Sequence, residues 1–428
     1  MREVYIVDGA RTPFLKAQGK PGPFSASDLA VRAGKQLLER QAFAPSELNE
    51  VILGCVMPSV DEANIGRLVA LRLGCGYAVP GWTVQRNCAS GMQALDSAAK
   101  DIAIGRHDLV LAGGTEAMSR APLLYNDQMT AWLGGLARAK DWKAKIKEYA
   151  QFKPTFLKPV IALLRGLTDP VVNLSMGQTA EILAYKFNIS REQMDSFALR
   201  SHQLASTGQD ENHYPEITPV FDGTGSYNTA DNGVRRDSSM DKLATLKPFF
   251  DKKFGSVTAG NSSQVSDGAA MLLLASKDAV KKYHLPVIGR IVDTEWAGVD
   301  PAEMGMGPVY ASAKLMQRHQ LQMDNIDLWE INEAFAAQVL ACLAAWQSDE
   351  YCKQNLGLDR ALGTVDPNKL NVDGGAIAIG HPVGASGARI VLHLVETLKR
   401  RNLKTGIATI CIGGGQGGAM LIEQLSEV

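Results

Sequence analysis

Two cysteines and one histidine lie in glycine-rich segments that are typical of a thiol-based acyl-transfer site. Cys88 lies in the motif NCASG, His381 in the motif GHPVG, and Cys411 in the motif CIGGG. A thiolate is a strong nucleophile, but a free thiol has a pKa of about 8.5 and is mostly protonated at neutral pH. We expect the helical pattern that follows Cys88 and the imidazole of His381 to favour ionisation of this thiol.

Each of these residues has a simpler explanation when it is taken alone. A cysteine at a strand-to-helix turn is more often a small core residue, and a lone histidine is usually structural. The segment 374–387 (GGAIAIGHPVGASG) carries so few bulky side chains that its backbone must lie close to another part of the protein. A histidine in that setting, just before a helix, is better explained as a base that is held in place to deprotonate a thiol.

The glycines at 413–418 (GGGQGG) formally match the dinucleotide-binding pattern G-x-G-x-x-G. The match is poor because the apolar residues 419–422 (AMLI) are typical of a strand, whereas the pattern requires a helix at this point. We expect these glycines to form a tight turn whose exposed backbone N–H groups line an oxyanion hole.

The composition is that of an ordinary globular protein. The chain has 428 residues, of which 46% are hydrophobic and 21% charged, which predicts two or three domains. The net charge of −1 argues against a nucleic-acid-binding protein. The six cysteines form no CxxC pair, so neither a disulfide framework nor a metal site is predicted. Strand-like residues begin at position 4 and no apolar run reaches about 18 residues, so we expect a cytoplasmic protein.

Helical and strand patterns alternate along the chain, which favours an α/β fold. The motif ASG occurs at 89–91 and again at 385–387, and each copy opens an amphipathic helix that is followed by an apolar strand and a Gly-Gly pair. A weaker similarity relates residues 48–54 to residues 326–332. The repeated order predicts two related halves.

The region between the halves, roughly residues 120–265, is richer in polar residues and turns and is predicted to be an inserted lobe that covers the site. Within it, residues 138–165 carry eight cations against two acidic residues, Asp141 and Glu148. The cations are Arg138, Lys140, Lys143, Lys145, Lys147, Lys153, Lys158 and Arg165. A solvated helix face and a docking surface for a partner, a membrane or a phosphorylated ligand are about equally plausible, and interleaved Trp and Phe residues favour docking.

Taken together, the motifs resemble those of the thiolase family, the acyl-CoA C-acetyltransferases, over essentially the whole chain. The matching segments are 7–14 (VDGARTPF), 87–91 (NCASG), 113–119 (GGTEAMS), 258–263 (TAGNSS), 332–336 (NEAFA), 380–382 (GHP) and 411–415 (CIGGG). The resemblance implies the thiolase fold, in which two similar α/β halves form a five-layered αβαβα arrangement with an inserted loop domain. The implied boundaries are 1–120 and 265–286 for the N-terminal half, 121–264 for the loop domain, and 287–428 for the C-terminal half.

The resemblance also implies roles for the reactive residues. Cys88 would be the acylated nucleophile, His381 its activator, and Cys411 the acid/base that exchanges a proton with the α-carbon of acetyl-CoA. Asn332 would hold a water that stabilises one oxyanion together with His381. The backbone N–H groups of Cys88 and Gly413 would stabilise the other oxyanion.

The same resemblance implies where coenzyme A binds. Ser263 and Met176 match positions that contact the pantetheine, and Arg235 aligns with a basic residue near the adenine nucleotide, although Arg236 is adjacent. Many thiolases have a histidine where Ser175 precedes Met176 here. Coenzyme A and acyl-CoA would be substrates, so no cofactor is expected.

The predicted function is CoA-dependent cleavage of a 3-ketoacyl-CoA, or the reverse Claisen condensation, through an acyl-cysteine. A short-chain biosynthetic acetoacetyl-CoA thiolase is the alternative. A β-ketoacyl synthase is less favoured because it typically uses a histidine pair, or a histidine and an asparagine, where Cys411 stands here. A non-catalytic lipid carrier or scaffold would not require the complete set of reactive groups.

Partners follow from the same resemblance. The lengthened segment 346–369 and the basic segment 138–165 resemble the thiolase subunit of the β-oxidation trifunctional complex, although members of that subgroup commonly have a histidine at the position of Asn332. We expect a homodimer or homotetramer, alone or with a hydratase/dehydrogenase subunit. Peripheral membrane contact through 138–165 is the second expectation for this segment.

Overall fold

The computed structural model describes residues 1–223, 225 and 227–425. Residues 224 and 226 of the predicted loop domain and residues 426–428 of the predicted C-terminal half lie outside the described residues. The first part of the chain contains β1 (Val4–Arg11), β2 (Leu15–Lys16), α1 (Ala26–Glu39), β3 (Glu50–Gly54), α2 (Ile65–Arg72), β4 (Gly81–Val84), α3 (Ser90–Ala103) and β5 (Leu109–Ala117).

A mostly helical region follows. It contains β6 (Leu123–Leu124), α4 (Asp127–Arg138), α5 (Trp142–Tyr149), β7 (Val160–Ile161), α6 (Ala162–Gly166), α7 (Met176–Lys186), α8 (Arg191–Asp210), β8 (Val220–Phe221), β9 (Tyr227–Asn228) and α9 (Met240–Ala244). The chain then returns to the main sheet through β10 (Ser266–Ala275), which pairs with both β1 and β5. The exact domain boundaries implied by the resemblance stay predictions.

The last part of the chain repeats the plan of the first. It contains α10 (Lys277–Tyr283), β11 (Gly289–Gly298), α11 (Gly307–Arg318), β12 (Leu328–Ile331), α12 (Ala336–Gln347), α13 (Asp349–Tyr351), α14 (Ala376–Ile379), α15 (Val383–Arg401), β13 (Thr405–Ile412) and β14 (Gln416–Glu423). The lengthened segment between α12 and α14 contributes α13 and one π-helical turn, Cys352–Leu356. Within the described residues, no helix is both long and apolar enough to cross a bilayer.

The described residues place ten strands in one sheet, in the order β12-β13-β14-β11-β1-β10-β5-β3-β4 with β2 beside β10. In the first half β3 runs parallel to β5, and in the second half β12 runs parallel to β13. The weak sequence similarity between 48–54 and 326–332 therefore falls on equivalent strands. A short antiparallel pairing between β1 and β11 joins the two halves at their edges.

Three hydrophobic cores lie within five layers of helices and strands. The middle core contains residues of α3 and α15 together with residues from both halves of the sheet. The outer cores lie under α1 and α2 on one side and under α11 and α12 on the other. The strands β3, β5, β10 and β12 are buried along their full length because helices cover both faces of the sheet. The prediction of a five-layered αβαβα arrangement is confirmed.

The two ASG motifs meet where α3 crosses α15. A Cβ atom on Gly91 would lie 2.8 Å from the backbone nitrogen of Ala388, and a Cβ atom on Gly387 would lie 2.6 Å from that of Met92. Each glycine thus touches the residue that follows the equivalent glycine of the other half. This reciprocal contact is what an internal two-fold repeat produces, and only glycine permits so close an approach.

Candidate active site

Cys88 lies in a tight turn immediately before the N-terminus of α3. Asn87 adopts a left-handed conformation with φ of 43°, and the Ser90 hydroxyl donates to the Asn87 carbonyl at 2.7 Å. The Asn87 amide in turn donates to the Gly413 carbonyl at 2.7 Å. This bond fixes the turn that carries Cys88 against the glycine turn that follows Cys411, so the two cysteine-bearing segments of the two halves meet here.

The thiol of Cys88 is partly exposed, unlike the other five cysteines. Burial of the sulfur raises the pKa of Cys88, whereas hydrogen bonds from the backbone N–H groups of Gly413 and of Cys88 itself favour the ionised form. The negative charge of Glu116 opposes ionisation. The N–H groups thus act in the predicted direction, but desolvation outweighs them and the pKa of Cys88 is raised.

His381 is held as a neutral base. Its Nδ1 lies 2.6 Å from the Ser386 hydroxyl, which donates to the Pro382 carbonyl at 3.0 Å. A hydroxyl that donates in this way accepts from Nδ1–H, so the lone pair of the ring lies on Nε2. Nε2 is buried and has no hydrogen-bond partner among the described residues. Burial and the nearby charge of Arg389 lower the pKa of His381 to about 3.

Asn332 and Cys411 lie on neighbouring strands of the second half. The backbone N–H of Asn332 donates to the Thr409 carbonyl at 2.9 Å, two residues before Cys411. The Asn332 side chain is fully buried, and neither its Oδ1 nor its Nδ2 has a partner among the described residues. An amide in this state is suited to holding a water or a substrate oxygen. Burial and the neighbouring Cys88 raise the pKa of Cys411 well above its usual range.

Two of the three predicted coenzyme A contacts lie beside these residues. Met176 begins α7, and its Sδ lies 3.2 Å from the position that a Cβ atom on Gly413 would occupy. The backbone N–H of Ser263 donates at 2.9 Å to the carbonyl of Ala334, two residues beyond Asn332. The structure therefore places both residues at the edge of the candidate site.

Arg235 lies farther out, on an exposed loop. The loop is held close to Ser263 because the Gln264 amide donates to the Gly233 carbonyl at 2.9 Å. The neighbouring Arg236 forms a bidentate ion pair with Asp210 at 2.8 Å, so its guanidinium is already engaged. Of the two adjacent arginines, Arg235 is the better candidate for a phosphate contact.

Several residues that shape the site were not predicted. Ser386 fixes the tautomer of His381, and Asn87 joins the two reactive turns. Their positions within the quoted motifs GHPVGAS and NCASG were the available signal. Ser175, which differs from the usual family residue, caps α7 by accepting from the Gln178 N–H at 3.4 Å. Its substitution for histidine therefore has a structural explanation.

The comparisons with known proteins agree with this geometry. The family description "Thiolase, N-terminal domain" matches residues 4–278, and "Thiolase, C-terminal domain" matches residues 285–424. The chain is 36% identical to a 3-ketoacyl-CoA thiolase of Shewanella loihica over 98% of this chain and 96% of the relative. It is also 36% identical to the mitochondrial trifunctional enzyme subunit beta of Bos taurus, over 99% of this chain and 88% of the relative.

Solved structures show the same fold. The acetyl-CoA acetyltransferase of Bacillus anthracis superimposes with a TM-score of 0.85 at 37% identity, covering 99% of both chains. The human mitochondrial 3-ketoacyl-CoA thiolase in complex with CoA gives a TM-score of 0.83 at 36% identity, covering 99% of this chain and 98% of that one. The family matches together span nearly the whole chain, and the chain belongs to the thiolase family.

Proposed function

We propose that this chain cleaves 3-ketoacyl-CoA with a second coenzyme A, and catalyses the reverse Claisen condensation, through an acyl group on Cys88. The observation that carries the proposal is the combination of one partly exposed thiol at Cys88 with a neutral, buried His381 whose Nε2 has no hydrogen-bond partner among the described residues. A second, buried thiol at Cys411 completes the set of groups that a reversible C–C bond cleavage requires.

In the first half-reaction the Cys88 sulfur attacks the 3-keto carbon and its proton passes to Nε2 of His381. The bond between the α- and β-carbons breaks, and the electron pair that stays on the α-carbon takes the proton of the Cys411 thiol. Acetyl-CoA leaves and the shortened acyl group remains on Cys88. The high pKa of Cys411 suits this step, since a weakly acidic thiol is matched to a strongly basic carbanion.

In the second half-reaction the thiol of a new coenzyme A gives its proton to the Cys411 thiolate and attacks the acyl carbon. The Cys88 sulfur leaves and recovers its proton from His381, so both thiols and the imidazole return to their starting states. The N–H groups of Gly413 and Cys88 are placed to stabilise the oxyanion on the acyl carbon. Asn332, with its unpartnered amide, and His381 would stabilise the enolate oxygen of acetyl-CoA.

Coenzyme A and acyl-CoA are substrates in this scheme, and no resident cofactor is proposed. Incubation of the protein with acetyl-CoA should add one acetyl group to the peptide that contains Cys88, as read by intact-mass measurement and peptide mapping. A non-catalytic scaffold would remain unmodified. CoA-dependent cleavage of acetoacetyl-CoA separates a thiolase from a β-ketoacyl synthase, which lacks that activity.

The acyl chain length is a separate part of the proposal. The basic segment and the lengthened segment 346–369 favour a degradative enzyme that accepts long 3-ketoacyl-CoA, and one relative described above is named a 3-ketoacyl-CoA thiolase. A kcat/KM for a long 3-ketoacyl-CoA at least tenfold above that for acetoacetyl-CoA would support it. The opposite order would favour the biosynthetic alternative.

The basic lobe, which we define as residues 123–166 from β6 to α6, is organised differently from the sequence prediction. Trp132, Phe152 and Phe156 pack against one another, with ring centroids 5.1 and 5.8 Å apart, so these aromatic rings are partly engaged within the lobe. Of the four aromatic residues cited for docking, Trp142 is the most exposed, at 67%. Ile146 and Tyr149 extend it into an exposed apolar stripe along α5.

All eight cations of the segment 138–165 are exposed, and no ion pair between described residues neutralises any of them. An exposed apolar stripe between lysines is a binding surface rather than an ordinary solvated face. We propose that it docks an acidic surface of a hydratase/dehydrogenase subunit, since a relative of nearly full-length similarity is named as a subunit of a trifunctional enzyme. The homodimer or homotetramer stays a prediction.

Replacement of Lys140, Lys143, Lys145 and Lys147 by Glu tests this surface. Co-purification with the partner subunit should be lost, while cleavage of acetoacetyl-CoA stays within about twofold of the wild type, because screening confines charge effects to about 10 Å at 0.1 M salt. A matched control carries Glu at Lys20, Lys277, Lys281 and Lys314, which are equally exposed. If the variant loses binding to anionic liposomes but still co-purifies with the partner subunit, the surface contacts a membrane instead. Unchanged binding to both the liposomes and the partner subunit would refute docking.

A further inference from the structure

Glu116 is a fully buried carboxyl group for which the proposed chemistry has no use. It lies near the end of β5, in the motif GGTEAMS. One carboxylate oxygen accepts from the N–H groups of Val56 at 2.9 Å and Gly384 at 3.1 Å. The other accepts from the N–H of Met57 at 3.0 Å. Burial raises the pKa of Glu116 to about 7, and a buried carboxyl group that is bound by three backbone N–H groups is expected to have a specific purpose.

One side of this carboxylate holds the segment that carries the base. Gly384 is the second residue of α15 and lies three residues beyond His381. A Cβ atom on Gly384 would lie 2.8 Å from the carboxylate, so the helix end approaches Glu116 as closely as its backbone permits. The first N–H groups of a helix have no partner within the helix, and Glu116 satisfies one of them.

The other side holds the segment that carries the nucleophile. The loop 55–57, which is bound by Glu116, is itself tied to the end of β4, since the Cys55 N–H donates to the Val84 carbonyl at 3.2 Å. The side-chain amide of Gln85 donates to the Val56 carbonyl at 2.8 Å. Gln85 lies three residues before Cys88. Glu116 therefore connects the two segments from which Cys88 and His381 project, one from each half of the protein.

We propose that Glu116 is a positioning residue that aligns His381 with Cys88 by hydrogen-bonding to both segments. This inference rests on the proposed function, because it assumes that His381 takes the proton of Cys88. It assigns no proton transfer to Glu116, which touches neither substrate nor the reacting atoms. The N–H groups that Glu116 binds belong to backbone segments of different halves of the protein. Among the described residues, no other single side chain forms hydrogen bonds with both of these segments.

The test compares two reactions of Cys88 in Glu116→Asp and Glu116→Gln. The first reaction is single-turnover acetylation by saturating acetyl-CoA at pH 7, which depends on His381. The second is alkylation by iodoacetamide at pH 10, where solvent generates the thiolate and His381 is not needed. A general loss of structure changes both reactions, whereas misalignment changes only the first.

Aspartate is one methylene shorter and cannot reach both segments, so we expect acetylation to fall by about tenfold or more. Its alkylation rate and half-saturating acetyl-CoA concentration should stay within about twofold of the wild type. Glutamine keeps the length, and its carbonyl oxygen can still accept from both Val56 and Gly384. Acetylation by Glu116→Gln should therefore stay within about threefold of the wild type.

Gln85→Ala keeps the proposal testable if Glu116→Asp does not fold, because Gln85 is exposed and its loss removes one of the two hydrogen bonds described between the loop 55–57 and the nucleophile segment. It should lower acetylation by about threefold and leave alkylation unchanged. The proposal would be overturned if Glu116→Asp folds and its acetylation is unchanged. If Glu116→Asp does not fold, unchanged acetylation in Gln85→Ala would overturn it. A parallel loss of both reactions would overturn it as well. Failure of the wild type to acetylate Cys88 would instead refute the proposed function.

Discussion

Two regions of this protein lie at opposite extremes of packing. The seam, which we define as Gly91, Gly114, Gly384 and Gly387, is where α3, α15 and β5 meet beneath the reactive residues. A Cβ atom on Gly114 would overlap the carbonyl of Gly384, so the backbones themselves are in contact. In the basic lobe, a Cβ atom on Gly134 would find its nearest neighbour 4.0 Å away, at the end of the Arg138 side chain. The seam has no spare volume, whereas the lobe has freedom to vary.

The two regions also treat charge differently. Near the seam, Glu116 and the ion pair between Arg389 and Glu330 are buried. In addition to the effect of burial, the charge of Glu116 raises the pKa of Cys88 and the charge of Arg389 lowers the pKa of His381 from inside the protein. The cations of the lobe are exposed and are screened by salt. We therefore expect catalysis to depend on fixed geometry and unscreened charge in the seam, and we expect changes on the surface of the lobe to leave the chemistry unaltered.

The largest expected effect is that of Cys88→Ser. An alkoxide is much harder to generate than a thiolate, so acyl transfer should fall by more than about 1,000-fold. The size change is small and the residue is partly exposed, so the midpoint of thermal unfolding should stay within about 2 °C. Cleavage of acetoacetyl-CoA is the measurement. Activity within about tenfold of the wild type would remove Cys88 from the role of nucleophile.

Cys411→Ala should separate the two parts of the reaction. Cys88 should still be acetylated by acetyl-CoA, because His381 takes the Cys88 proton and coenzyme A can leave as a thiolate without the proton of Cys411. Exchange of the acetyl protons of acetyl-CoA with deuterated water should fall by about 100-fold, in line with the usual contribution of a positioned acid/base. Mass spectrometry of recovered acetyl-CoA measures the exchange, and exchange at the wild-type rate would show that another group moves this proton.

A pair of glycine substitutions tests the comparison of packing. Gly114→Ala forces a methyl group onto the backbone of α15 and should destabilise the protein by about 3 kcal/mol or more. Gly134→Ala, in the exposed helix α4, should stabilise it by up to about 1 kcal/mol through helix propensity. Thermal unfolding of both variants gives the result. Equal effects at the two sites would remove the distinction between seam and lobe.

His393, on α15 behind the seam, predicts a pH dependence of stability. Its Nδ1 lies 3.1 Å from Glu216 and its Nε2 lies 3.1 Å from Asp373. Burial alone would lower its pKa, but the two carboxylates outweigh burial and raise the pKa of His393 to about 9. Protonated His393 therefore stabilises the folded protein. This stabilisation is complete below about pH 6.5, the pKa of a histidine in the unfolded chain, and it is lost as the pH rises through about 9.

His393→Gln should therefore destabilise the protein most at low pH. We expect a loss of about 3 kcal/mol at pH 6, since the variant removes the cation that lies between Glu216 and Asp373 and leaves these carboxylates with their ion pairs to Arg11 and Arg400. The difference from the wild type should shrink as the pH is raised from 7 to 10. Urea unfolding across this range measures it. A difference that does not change with pH would mean that His393 is neutral in the folded protein.

The sequence was sufficient to predict the α/β class and the internal repeat, because each depends on a local pattern, whereas the five layers followed from the resemblance to the thiolases and the roles of the reactive residues stay predictions. The helix after Cys88 and the paired ASG motifs are examples of such local patterns. The sequence was not sufficient for Glu116, whose contact with Gly384 joins segments more than 250 residues apart. It was also not sufficient for the tautomer of His381, which depends on the direction of the Ser386 hydroxyl. The sequence was also not sufficient for the raised pKa of Cys88, because desolvation depends on the packing around the thiol.

The aromatic residues of the lobe show a different limit. Spacing alone did not distinguish Trp132, which packs inside the lobe with its ring N–H donating to the Glu148 carbonyl, from Trp142, which is exposed. Both belong to short helices joined by a turn, and the sequence does not say which side of each helix faces the other. Surface residues of such a lobe therefore require the structure for their assignment.

The central claim is that Cys88 and His381 are a neutral thiol and a neutral imidazole before substrate binds. The direct measurement is the rate of Cys88 alkylation by iodoacetamide as a function of pH, read on the peptide that contains Cys88, in the wild type and in His381→Asn. The account predicts a rate that keeps rising beyond about pH 8.5 with no earlier plateau, and the same midpoint in both proteins. A plateau near neutral pH that disappears in His381→Asn would show a preformed thiolate–imidazolium pair and would contradict it.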